Sequence, residues 1–132
     1  MKLDGDTAVK SINLLVVDDE EQCLVSVMMM LYETDINVIT EPDSRKALEY
    51  ISMNRNIDII LLDLMMPDLD GVEFLEGLQA IGLEKNIPVI LQTGSTNFEF
   101  VERALSMGAI GYVAKPFLKE EIIEAINCVF NR

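Results

Sequence analysis

The chain has 132 residues, half of them hydrophobic and a quarter charged. That is enough for one domain with its own core and too apolar for intrinsic disorder. Asp and Glu outnumber Lys and Arg 23 to 10, a net charge of −13 with no histidine; this argues against direct nucleic-acid or anionic-membrane binding and excludes His-metal ligation, Ser-His-Asp and Cys-His catalysis.

Residues 1–10 are polar and mixed and read as a flexible tail, without the apolar core of an export signal. The domain is expected to fill 11–132. Its first segment, SINLLVV (11–17), is a continuous apolar run closed by Asp18, Asp19, Glu20 and Glu21. Such a run suits a strand buried on both faces, and the carboxylates suit the positive end of the following helix. That helix is expected over about 20–33, with Leu24, Val27, Met28 and Leu31 inward and Cys23 and Met30 toward the opposite side. INVIT (36–40) is the second strand, and Pro42 is expected in the first turn of a helix reaching Met53. IDIILL (57–62) is the third strand, ending at Asp63; LMMPDLDG (64–71) is a loop, and the third helix runs to Ile81 and stops at Gly82. IPVILQT (87–93) is the fourth strand, 96–107 the fourth helix and IGYVA (110–114) the fifth strand. Lys115-Pro116 breaks that strand, and the fifth helix covers about Leu118 to Phe130. Phe98, Val101 and Leu105, at i, i+3 and i+7 of the fourth helix, suit either core or a dimer face.

Cys23 and Cys128 have no metal-site spacing and fall in apolar periodic segments, so both read as small buried hydrophobes. Two cysteines without a signal peptide point to a reducing compartment. No apolar run reaches the ~18 residues of a membrane helix.

Five strand-helix repeats imply an α/β fold with a doubly wound parallel sheet and helices on both faces. In such sheets ligands lie beyond the carboxyl ends of the strands. There the sequence places Asp18-Asp19, Asp63, Thr93 and Lys115. Clustered carboxylates repel, and a hard divalent cation with oxygen ligands, Mg²⁺, relieves this. Metal, lysine and hydroxyl around a carboxylate also cradle a transferring phosphoryl group. Asp63, alone at a central strand end, is then the candidate nucleophile for an aspartyl phosphate, with Asp18 and Asp19 paired as metal ligands. Taken singly, each residue has a plainer role: Asp18 or Asp19 as a helix cap, Asp63 as a turn residue, Thr93 at a helix entry, Lys115 on the surface.

VVDDE (16–20), LLDLMMPDLDG (61–71), LQTG (91–94) and GYVAKPF (111–117) together resemble the signature of response-regulator receiver domains of bacterial two-component signalling, over about Ile12 to Phe130. The resemblance implies a flavodoxin-like three-layer sandwich of strand order 2-1-3-4-5. It implies Asp63 as phosphoacceptor, and Mg²⁺ on Asp18, Asp19, Asp63 and the backbone carbonyl of Met65. Lys115 would bind phosphate, Thr93 and Tyr112 would form the switch, and Lys115-Pro116 would be cis. The phosphoryl group would come from a histidine kinase or histidine phosphotransfer protein. The chain would catalyse its own phosphorylation and hydrolysis without being an enzyme in the ordinary sense. The surface of helix four, strand five and helix five would then engage an output protein or domain, with a homodimer through that face left open. A cytoplasmic location, no nucleic-acid contact and no membrane insertion complete the expectation.

In this family the first helix commonly docks on the phosphodonor, which makes Met30 a candidate contact. Met65 and Ser95, at the positions that tune hydrolysis, carry no charge, so unexceptional to slow dephosphorylation is expected; Gly94 leaves the pocket mouth open. Three other classes fit less well. An aspartyl-phosphate phosphatase would place a second Asp where Met65 stands. A phosphate-independent interaction module of the same fold would not need the full polar set. A flavin site would need a phosphate-cradling loop where Asp18-Asp19-Glu20-Glu21 repel phosphate.

Overall fold

The computed structural model describes residues 12–53, 56–94 and 98–132. The expected tail at 1–10, and Ser95, lie outside the described residues. Ten elements alternate: β1 (Ile12–Val17), α1 (Glu21–Met30), β2 (Ile36–Glu41), α2 (Ser44–Met53), β3 (Ile59–Asp63), α3 (Gly71–Ile81), β4 (Val89–Thr93), α4 (Phe98–Ser106), β5 (Gly111–Ala114) and α5 (Lys119–Val129). The strands form one parallel sheet in the order β2-β1-β3-β4-β5, which is the expected 2-1-3-4-5 architecture.

Strand pleating divides the core in two. Leu15 and Val17 of β1 point into a cluster with Ile51, Phe74 and Val101. Leu14 and Val16 point the other way, to Leu24, Val27, Ile122 and Ile126. Two-sided burial holds for β3 and β4, whose residues are all buried. It fails at the edges: β2 is mostly half-buried, and in β5 Tyr112 and Ala114 are exposed. An edge strand lacks one neighbour and part of its helix cover.

Local chemistry sets the boundaries. Asp43, not Pro42, starts α2: its Oδ1 accepts the N–H groups of Arg45 and Lys46 at 2.9 and 3.2 Å. Asp70 and Glu73 form a reciprocal capping box on α3, and Gly82 ends that helix at φ 69°. Gly71 is needed for close approach, because a Cβ there would lie 2.7 Å from Leu64 Cδ1 and 3.0 Å from Leu64 Cα. This clamps both ends of the loop after Asp63. No helix among the described residues is long and apolar enough to cross a membrane.

Two side-chain expectations are corrected. Met28 is exposed, whereas Met30 is half-buried against the Leu24–Ile122 cluster. The stripe of α1 is rotated because Cys23 and Met30 face the β5–α5 connection at Pro116 and Phe117. Neither cysteine is buried: Cys23 is half-buried and Cys128 exposed, off the Ile122–Ile126 stripe of α5. On α4, Val101 is core while Phe98 and Leu105 are exposed.

Candidate functional site

The carboxyl edge of the sheet gathers the polar groups that follow the apolar runs. Asp18, directly after β1, is fully buried; its N–H donates to the Glu41 carbonyl and its Oδ1 accepts the Glu20 N–H at 2.9 Å. Asp63 is the last residue of β3 and is buried, with its Oδ1 accepting the Met65 N–H at 3.2 Å. Thr93 ends β4 and is buried. The Lys115 N–H continues the ladder to the Thr93 carbonyl at 2.8 Å, which aims Lys115 across the edge. Its Nζ donates to Asp18 Oδ2 at 2.8 Å and lies 3.6 Å from Asp63 Oδ2 and 3.7 Å from Glu20 Oε1. The Lys115–Pro116 peptide is cis.

Burial, then the Asp18 charge, pushes the Asp63 carboxyl up to about 7, against the opposing pull of Lys115 and the Met65 N–H. Burial by itself would lower the Lys115 pKa, but the Asp18 hydrogen bond and the charges of Asp63 and Asp18 outweigh it and hold the ammonium above the ordinary lysine range. Cys23 is raised by burial and by Asp18, so the thiol stays protonated at neutral pH.

Carboxylate oxygens of Asp18, Asp19 and Asp63 lie within 4.8 Å of one another, with Asp19 exposed to solvent. Three carboxylate oxygens with an open solvent side form an acidic pocket able to hold a metal cation. A second grouping, Asp18, Glu20 and Cys23, meets the same distance limit. The Lys115 ammonium already serves its two carboxylates.

Asp18, Asp19, Asp63 and Lys115 thus converge as the sequence suggested, with Thr93 beside them at the end of β4. The Met65 side chain is exposed, and its backbone is held to Asp63. Tyr112 stands three residues before Lys115 with its side chain about half exposed, outside the carboxylate cluster. Gly94 is exposed, and the nearest atom to a Cβ built there is Lys115 Cβ at 3.8 Å. Glu20, read from the sequence as a partner of the helix dipole, also reaches Lys115, and sequence reasoning missed Gln92, a fully buried amide. The signal for Gln92 was visible as one polar residue inside the run IPVILQT.

The model of the response regulator receiver domain matches residues 14–127. A two-component response regulator of Arabidopsis thaliana, ARR12, is 34% identical over 110 residues, covering 83% of this chain and 18% of its own. The heme response regulator HssR of Staphylococcus epidermidis is 34% identical over 121 residues, covering 92% of this chain and 52% of its own. The chain therefore spans about a fifth to a half of these curated relatives. Among solved structures, Vibrio cholerae chemotaxis protein CheY4 aligns with a TM-score of 0.81 at 29% identity, over 89% of this chain and 98% of its own. The receiver domain of the Francisella response regulator 1452 aligns with a TM-score of 0.81 at 31% identity, over 92% and 98%.

Proposed function

The chain belongs to the response regulator receiver domain family of two-component systems, and on that premise we propose that it takes a phosphoryl group onto Asp63 from a histidine kinase or histidine phosphotransfer protein. The observation that carries this reading is the buried Asp63 carboxylate with Lys115 Nζ 3.6 Å away and the oxygens of Asp18 and Asp19 within 4.8 Å.

Asp18, Asp19, Asp63 and the backbone carbonyl of Met65 would hold Mg²⁺, which when bound supplies positive charge to the phosphoryl oxygens. Asp63 provides the attacking oxygen: a new O–P bond forms as the P–N bond of the donor phosphohistidine breaks, and the imidazole leaves with the electron pair. Lys115 exchanges part of its contact with Asp18 for a phosphoryl oxygen. Thr93 donates its hydroxyl to another, and Tyr112 turns from its exposed position toward the space this opens. The surface of α4, β5 and α5 then changes shape, and an output protein or domain, or a second copy, reads it. Self-catalysed hydrolysis returns the chain to its resting state. The same reading places it in the cytoplasm beside its donors.

Labelling with acetyl phosphate and Mg²⁺ tests it by intact mass. Wild type gains one phosphoryl group and Asp63→Asn gains none; equal yields in both remove Asp63 from its role.

A further inference from the structure

Beside the carboxylate cluster, on the α1–α5 side of the sheet, lies a groove of about 390 Å³. Cys23, Ser26, Val27 and Met30 of α1 form one wall and Lys115 to Phe117 the other, with Gln92 of β4 between them. Gln92 is 0% exposed, and neither its amide nitrogen nor its carbonyl oxygen has a hydrogen-bond partner among the described residues. Buried amides are almost always paired, since leaving one unmade costs more than a replaced apolar group would. β3–β4–β5 register sets Gln92 level with Asp63 and Val113, so its side chain shares their face of the sheet.

We propose that this groove binds a neutral planar heterocycle of the adenine type, with Gln92 as the recognition residue. A glutamine amide offers one donor and one acceptor side by side, which pairs in bidentate fashion with an amino group next to a ring nitrogen. The walls suit a flat apolar body: Phe117 supplies an aromatic face, Met30 a polarisable thioether and Val27 an aliphatic one. The volume lies in the range of small-molecule sites. The neighbouring Asp18, Asp19, Glu20 and Asp63 disfavour a phosphorylated ligand, so the base or its nucleoside fits better than a nucleotide. Because Lys115 forms part of the wall, and Gln92 adjoins Thr93 in sequence and Asp63 in register, an occupant sits against the residues of the phosphorylation site. This site goes beyond the phosphoacceptor reading and does not depend on it.

The test uses unphosphorylated protein, so its failure is separable from failure of phosphorylation. 9-Methyladenine and 9-methylpurine, which lacks the amino donor, are titrated while the Gln92 side-chain amide is followed by NMR. Saturable shifts of that amide by 9-methyladenine, with at least tenfold weaker binding of 9-methylpurine, are expected. Gln92→Leu, close in volume and apolar, abolishes the preference for the amino compound. Ser26→Trp, on the exposed face of α1, weakens binding tenfold by closing the mouth without touching the strand. Equal affinity for the two probes, binding unaffected by Gln92→Leu, or no saturation up to about 10 mM, the weak limit for a ligand of this size, each overturns the site.

Discussion

Lys115 Nζ hydrogen-bonds Asp18 Oδ2 at 2.8 Å but stands 3.6 Å from Asp63 Oδ2, so the ammonium is tied to one carboxylate and engages the other only through its charge. In the resting chain Lys115 therefore acts as a counter-ion for the acidic edge. Its raised pKa means that this contribution is present below the ordinary 10.5 and is lost only as pH climbs through the higher folded-state value. Lys115→Met should cost on the order of 2 kcal/mol at pH 8 without metal, because it leaves buried carboxylates unpaired. Mg²⁺ or a fall in pH should restore most of that loss. Urea unfolding of both proteins, with and without Mg²⁺, measures it; an unchanged midpoint would show that the pair contributes nothing.

Asp63 carries the opposite liability. Its folded pKa, about 7, lies above the ordinary 3.8, so the folded state binds the extra proton between those values. Its favourable contribution is complete below pH 3.8 and is lost as pH rises through 7, so the metal-free protein should lose stability across that window. Asp63→Asn removes the dependence. The variant should exceed wild type by on the order of 2 kcal/mol at pH 8 without Mg²⁺, the difference closing toward pH 4. Chemical unfolding at a series of pH values checks both the sign and the window.

The methionines of α1 separate partner contact from core. Met29 is 74% exposed, whereas Met30 packs on the Leu24–Ile122 cluster. Met29→Glu should leave stability and acetyl-phosphate labelling unchanged but slow transfer from a phosphorylated protein donor several-fold. Met30→Glu should instead destabilise by about 1–3 kcal/mol through burial of a charge. Matching transfer rates for Met29→Glu and wild type would remove α1 from the docking surface.

The chain contains no tryptophan, which makes Tyr112→Trp a clean reporter. With this side chain half exposed at rest, phosphorylation should shift its emission to the blue, and Thr93→Ala in the same background should abolish the shift. Decay of the signal after removal of the donor gives the phosphoryl lifetime. With an uncharged Met65 at the site, a half-life longer than a few seconds is expected; faster decay would mean that another group orients the attacking water.

Sequence alone determined the strand-helix alternation, the parallel sheet and the identity of the polar residues at its carboxyl edge. These follow from local causes: apolar runs that need burial on two faces, and charged groups that end them. Asp18, Asp63, Thr93 and Lys115 were legible because each interrupts or closes a hydrophobic segment. Only the tertiary structure decided which carboxylate Lys115 bonds, that Glu20 joins it, and that Asp19 faces water while Asp18 is sealed in. It also rotated the buried stripe of α1 toward Cys23 and Met30, because the β5–α5 connection covers that side, and left Gln92 beneath the resulting groove. Distances between side chains nearly a hundred residues apart, and the cover one element gives another, are set by packing across the sheet and are not encoded in the periodicity of any single segment.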